Sequence, residues 1–278
     1  MKIAVLSGKG GTGKTFVSVN LAACAPSALY LDCDVEEPNG HLFLKPEHIE
    51  TETIHTLLPK FDETKCTHCR KCIDICRFNA LAFLGNTPRL FPDVCHSCGG
   101  CALICPSHAV HEFKHPIGMI ECGVHKHVQT VTGILNIGEA SGVPIIQAVL
   151  DKITSQELVI IDCPPGSACT VMASIEEADY CILVAEPTSF GLHNLNMVYE
   201  LVSLLKKPCG IILNKTEALH TPIDDFCTTH QLPILGRIPY REHLALLGAK
   251  AQIASELDAS YQLIFKQLLQ AVQREVTH

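Results

Sequence analysis

Residues 8–15 read GKGGTGKT, directly after the apolar run KIAVLS and directly before TFVSVNLAACA, whose apolar residues recur at helical spacing. A glycine-rich loop set between a buried strand and a helix restricts the fold more than any other stretch of the chain. Gly8, Gly10, Gly11 and Gly13, with Thr12 among them, let the backbone wrap a phosphate with its N–H groups, and the helix N-terminus behind them adds its dipole. The pattern GxxxxGK[ST] assigns Lys14 to the β- and γ-phosphates and Thr15 to a magnesium ion. ATP or ADP with Mg2+ is the expected ligand, against the plainer reading of a glycine turn with an incidental lysine.

The alternation continues along the chain. SALYLDCD is a second strand-like run, and ELVIIDCPPG, DYCILVAEP, CGIILNK and LPILGRIPY follow, separated by helix-patterned segments such as NLNMVYELVSLLKK. Runs apolar on both faces belong in a sheet covered by helices on each side. The expected fold class is therefore α/β, a doubly wound, mostly parallel sheet. Between about residues 62 and 115 cysteine, histidine and polar residues become dense and long apolar runs few. The expected division is 1–58 for the first part of the nucleotide-binding unit, 59–115 for an inserted module and 116–278 for the second part.

Inside that module Cys66, Cys69, Cys72 and Cys76 follow CxxCxxCxxxC, and Cys95, Cys98, Cys101 and Cys105 repeat the spacing with Pro106 after the last. In the bacterial two-cluster pattern with this spacing, the fourth cysteine of each run ligates the other cluster. Cys66, Cys69, Cys72 and Cys105 would hold one 4Fe-4S cluster, and Cys95, Cys98, Cys101 and Cys76 the second. Zinc competes for short CxxC spacing, although zinc ribbons join two cysteines to two more. Clusters that merely staple a segment short of core are a further reading. The first run departs from the pattern at Arg77, where proline is usual, and keeps its four thiols.

Lys9 gives the glycine loop a second lysine, and KGGTGKT resembles the deviant Walker A motif of the MinD/ParA/nitrogenase-reductase superfamily of P-loop ATPases. The resemblance implies a sandwich dimer, made with a second copy or with a paralogue, in which Lys9 reaches the partner's nucleotide. LDCDVEEPNG resembles switch I, which makes Asp34 the residue that orients or deprotonates the attacking water and Asp32 a strand-end cap. LVIIDCPPGS resembles Walker B running into switch II, with Asp162 holding magnesium through water and Gly166 sensing the γ-phosphate. Asn214 of ILNKTE, and Pro239 with Tyr240 of RIPY, fall where the superfamily contacts adenine.

Taken whole, the chain looks like superfamily members that carry a ferredoxin domain between switch I and switch II, relatives in fold of nitrogenase iron protein and Mrp-type cluster carriers. This resemblance implies an ATPase, slow without a partner, that couples nucleotide state to electron transfer from two 4Fe-4S clusters to a partner metalloprotein, including one engaged in maturing a metal cofactor. An ATP-dependent iron-sulfur cluster carrier or scaffold is one alternative, and a MinD/ParA-type spatial positioning ATPase is another.

A net charge of -8 argues against a broad nucleic-acid face, so no nucleic-acid partner is expected. No run of about 18 apolar residues occurs and no export leader precedes KIAVLS, so a cytoplasmic protein without stable membrane association is expected. Cys122 with His115, His125 and His127 could assemble a further metal site if the last two share one strand face; solvated strand histidines are the plainer reading. Glu139 of GILNIGEASG hints at a partner or substrate surface. Cys33 and Cys163 stand beside the switch aspartates, and the remaining scattered cysteines read as small core residues. Leu257, Tyr261, Ile264, Phe265, Leu268 and Val272 form the apolar face of a final helix expected to pack on the sheet.

Overall fold

The computed structural model describes residues 1–217 and 220–277. Eleven strands are present among them: β1 (Lys2–Leu6), β2 (Ala28–Asp32), β3 (Glu47–Phe61), β4 (Leu81–Leu84), β5 (Thr87–Leu90), β6 (Val110–His125), β7 (Val128–Leu135), β8 (Val159–Asp162), β9 (Tyr180–Ala185), β10 (Cys209–Thr216) and β11 (Ile234–Pro239). Nine of them form one sheet in the order β11-β10-β9-β1-β8-β2-β7-β6-β3. From β11 to β7 every pairing is parallel. Parallel strands lie buried on both faces, which is why β1, β2, β8 and β9 are runs of buried apolar residues.

Each face of the sheet carries its own core. One centres on Leu29, Leu31, Ile145, Ile161 and Leu183, and the other on Ile3, Val5, Tyr30, Ile182 and Phe265. The final helix, Ala259–Thr277, closes the second core with Tyr261, Phe265, Leu268 and Val272 buried and Ile264 partly so. Leu257 is a correction to the expected face: it ends the separate short helix Ala254–Leu257 and is 60% exposed. No described helix is long and apolar enough to cross a membrane.

The far edge of the sheet turns antiparallel. β7 pairs with β6, and β6 pairs with β3 along a long ribbon from Glu47↔Val124 to Phe61↔Val110. Residues 62–109 continue from the tip of that ribbon and carry the β4-β5 hairpin and the short helices Lys71–Ile75 and Gly100–Leu103. β3 and β6 pass unbroken through positions 59 and 115.

The tip segment repeats itself. Each cysteine of the second run lies 29 residues after its counterpart in the first. The backbone follows the same period, with φ of 57° and 51° at His68 and Ser97, 62° and 69° at Arg70 and Gly99, and 53° and 50° at Asn79 and His108. The amides of Ala80 and Ala109 bond the sulfurs of Cys76 and Cys105 at 3.4 and 3.3 Å. Two turns of one geometry therefore hold two copies of one thiol pattern.

Candidate functional site

Parallel strands bring their C-terminal ends to one side of the sheet, and the loops leaving β1, β2, β8 and β10 meet there. The loop after β1 closes onto the helix Lys14–Cys24 through Gly13, whose φ is +91°. Any Cβ at Gly13 would fall 2.2 Å from Asn214 Nδ2, so glycine is required there twice over. At Gly8 a Cβ would stand 2.2 Å from the Asn194 carbonyl oxygen, which brings the helix Ser189–Leu204 against the loop. The helix start at Gly13 has no side-chain cap, leaving N–H groups facing a cavity of about 500 Å3. Lys9, Gly10, Gly11, Thr12, Gly13, Lys14, Thr15, Asp34, Asn214, Pro239 and Tyr240 all line it. Thr12 Oγ1 is buried with no partner among the described residues.

The register of β2 and β8 pairs Asp32 with Asp162, so two fully buried carboxylates stand side by side at the strand ends. Asp162 Oδ1 takes Lys14 Nζ at 2.8 Å and the Ser18 hydroxyl at 3.1 Å, while Oδ2 accepts from Tyr30 at 2.9 Å. Burial pulls Lys14 down, but Asp162 first and Asp34 at 3.7 Å outweigh it and raise the ammonium above its ordinary value. Asp32 accepts from the amides of Gly40 at 2.8 Å and Asp34 at 3.2 Å. Its carboxyl is pushed up to about 8, by burial first and then by the charge of Asp162. Asp34 lies two residues beyond β2 and is pushed up to about 6 by burial, with Lys14 opposing. One lysine thus stands among three carboxylates, 2.8 Å from Asp162 and 3.7 Å from Asp34.

Lys9 turns toward its own chain. Its Nζ lies 2.8 Å from Glu186 Oε2 and 5.2 Å above the centre of the Phe190 ring. Glu186 also takes Lys215, whose Nζ reaches the Gly11 carbonyl at 2.8 Å. Burial raises the Glu186 carboxyl, but the bonds from Lys215 and Lys9 together bring it below its ordinary value. Asn214 spends both polar atoms locally, donating from Nδ2 to the Thr12 carbonyl at 2.7 Å and accepting on Oδ1 from the Lys215 amide. Gly166 donates its amide to the Ser7 carbonyl at 2.9 Å, which fastens the loop after β8 to the glycine loop.

At the ribbon tip the eight cysteines sort into two hollows. Cys66, Cys69, Cys72 and Cys105 line one of about 20 Å3, and Cys76, Cys95, Cys98 and Cys101 line another of about 210 Å3. In each hollow the fourth thiol comes from the other run. No group of three or more His, Cys, Asp or Glu among the described residues is placed to hold a single metal ion. A third cleft, of about 390 Å3, shares Phe78, Cys95 and His96 with the second hollow and is also lined by Glu139, Ser141 and Cys169.

Residues 3–253 match the profile of the CobQ/CobB/MinD/ParA nucleotide binding domain. The chain belongs to that family. It is 28% identical over 270 residues to the uncharacterized protein MJ0578 of Methanocaldococcus jannaschii, covering 94% of this chain and 95% of that one. Among solved structures it resembles the cell division ATPase MinD of Pyrococcus furiosus, with a TM-score of 0.62, 16% identity and 98% of each chain covered. The septum site-determining protein MinD of Pyrococcus horikoshii, complexed with Mg-ADP, gives a TM-score of 0.59 at 18% identity, covering 98% of this chain and 95% of that one.

Several partners of this MinD/ParA-family site carry no motif. Ser18 and Tyr30 on Asp162, and Glu186 under both lysines, come into place only through strand register and sheet order. The histidines differ from expectation. His125 ends β6 and lies 3.2 Å from Glu256; Lys126, with a φ of 52°, and His127 form the turn into β7, and His127 lies 3.2 Å from the Ala23 carbonyl. They do not share a strand face, and His115 pairs instead with Glu139 at 3.0 Å. Cys122 packs at the edge of the first core. Of the scattered cysteines, Cys33, Cys163, Cys181 and Cys227 are buried, Cys24 and Cys209 partly so, and Cys169 is exposed.

Proposed function

We propose that the chain is a MgATP-hydrolysing ATPase of the MinD/ParA kind that couples its nucleotide state to two 4Fe-4S clusters held at the ribbon tip, and passes electrons from them to a partner metalloprotein. In this reading the uncapped loop amides, Lys14 and the unpartnered Thr12 hydroxyl receive phosphate, Thr15 and Asp162 hold magnesium, and Asp34 orients or takes the proton of the attacking water. Lys9 leaves Glu186 for the nucleotide of a second subunit, a copy or a paralogue, and Gly166 follows the γ-phosphate. Pro239 with Tyr240 flanks the base, and Asn214 braces the loop beside it.

The donor chemistry at the tip suits the clusters: four thiols per hollow, drawn three and one from the two runs, with backbone amides on Cys76 and Cys105. When bound, clusters of this type supply one-electron transfer. Residues 59–115 then form the ferredoxin-like unit, set into the ATPase of 1–58 and 116–278. One observation carries the coupling. The segment leaving Asp162 lines the nucleotide cavity at Pro165 and, four residues on, lines the cleft beside Cys95 at Cys169. A γ-phosphate that moves this segment moves the wall facing the second cysteine set. Protein purified without oxygen should bind close to eight irons, and redox titrations with MgATP and MgADP should give different midpoints and different rates of partner reduction. Identical values in both nucleotides would remove the coupling.

A second reading is spatial positioning, and the solved likenesses, a cell division ATPase and a septum site-determining protein, stand nearer to it than to electron transfer. Against a tail that grips membrane, the apolar face of the final helix is spent on the core. MgATP-dependent sedimentation with anionic vesicles or DNA would favour positioning. The carrier alternative predicts that iron leaves the loaded protein for an apo-acceptor.

A further inference from the structure

The two cysteine hollows are built on one repeat, yet their surroundings carry opposite charge. Arg70 and Lys71 line the first hollow, and 29 residues later their counterparts are Gly99 and Gly100. The second hollow has no lysine or arginine in its lining and carries Glu112. The counterpart of Glu112 is Phe83, which lines the first hollow.

Hydrogen bonding to sulfur departs from the repeat in the same sense. Cys105, in the first set, takes the Ala109 amide at 3.3 Å and has the Ser107 hydroxyl 3.7 Å from its sulfur. Cys76, its counterpart in the second set, takes the Ala80 amide at 3.4 Å, but Phe78 stands where Ser107 would be and turns its ring onto His96 at 4.0 Å. Cations, hydroxyl donors and missing carboxylates all favour the added negative charge of a reduced centre, and a nearby carboxylate opposes it.

We infer that the first cysteine set, with Arg70, Lys71 and Ser107, is the higher-potential site, and that an electron shared between the two sets settles there at least tenfold in preference to the second. The inference rests on the proposed cluster ligation. The transfer balances simply: one electron leaves the second set, one arrives at the first, and no proton or group moves. The second set faces the cleft that Cys169 lines, so electrons run downhill from the nucleotide-linked end to the far one.

Stepwise reduction by dithionite under EPR, without oxygen, tests this. Cys69→Ser and Cys98→Ser each remove or alter one signal and so assign the two sets. The signal tied to Cys69 should fill first by at least tenfold, about 59 mV for one electron. Replacing both Arg70 and Lys71 by Gln should narrow the gap from above, and Glu112→Gln from below, each at unchanged iron content. Filling of the Cys98 signal first, a preference under tenfold, or gaps unmoved by both sets of substitutions would overturn the inference and leave the cluster reading standing. Absence of iron from both sets would remove the reading and the inference with it.

Discussion

Lys14 Nζ and Asp162 Oδ1 stand 2.8 Å apart, with Lys14 only 6% exposed and Asp162 fully buried. A charged pair this deep holds together because the carboxylate also accepts from Ser18 and Tyr30. Lys14→Ala should lower MgATP affinity at least 100-fold by isothermal titration. It should also destabilise the nucleotide-free protein by about 3 kcal/mol in urea, because it strands a buried carboxylate. Unchanged affinity would show that phosphate binds elsewhere.

Asp34 should govern the acid limb of turnover. Its carboxyl, pushed up to about 6 by burial against the opposing charge of Lys14, is ionised above that value and protonated below it. The kcat/KM for ATP, which reports the free enzyme, should therefore fall as pH drops through about 6. Asp34→Asn should lower kcat by roughly 100-fold or more, a typical loss for a general base, while nucleotide affinity changes little. A variant that keeps its kcat, or the same acid limb, would exclude Asp34 from the proton step.

Asp32 carries a stability signature of the opposite kind to an ordinary ion-paired aspartate. Burial and Asp162 push its carboxyl up to about 8, so folding favours the protonated form. The contribution is fully present below about pH 4 and is lost as pH rises through about 8. Asp32→Asn should flatten the fall in unfolding free energy between those values, whatever constant offset the exchanged acceptor introduces. An unaltered slope would place the charge elsewhere.

Glu186 should act as a brake on Lys9. In the single chain Lys9 is occupied by that carboxylate, with Phe190 beneath it. The pair is partly exposed and worth about 0.2–1 kcal/mol. Glu186→Gln should accordingly strengthen MgATP-dependent dimerisation about two- to fivefold in analytical ultracentrifugation, and Lys9→Ala should weaken it. Dimerisation unaffected by either change would confine Lys9 to its local contacts.

Local chemistry was easiest to read where it repeats or is buried on both sides. The glycine loop and the strands β1, β2, β8, β9, β10 and β11 announce themselves as apolar runs, four of which (β1, β2, β8 and β10) end at or beside Gly, Asp or Asn. The ribbon does not: β3, EHIETETIHTLLPKF, is exposed along most of its length and so shows no alternation for a core to impose. Contacts set by tertiary register stayed hidden for a different reason. Nothing near Tyr30 or Glu186 signals Asp162 or Lys9, because the partners lie far apart in sequence and meet only when β2, β8 and β9 take their places in the sheet. The turn at Lys126 was likewise masked by histidines spaced as in a strand.

Phe61 and Val110 are register partners. The thiol-rich part thus departs from and returns to the nucleotide-binding fold at a single stitch, like a bud on a stem. Cutting the bud and tying the stem with a two-residue turn would leave every strand of the nine-stranded sheet its neighbour. The same joint could accept a different bud, and a lineage could change what the nucleotide engine carries without rebuilding the engine.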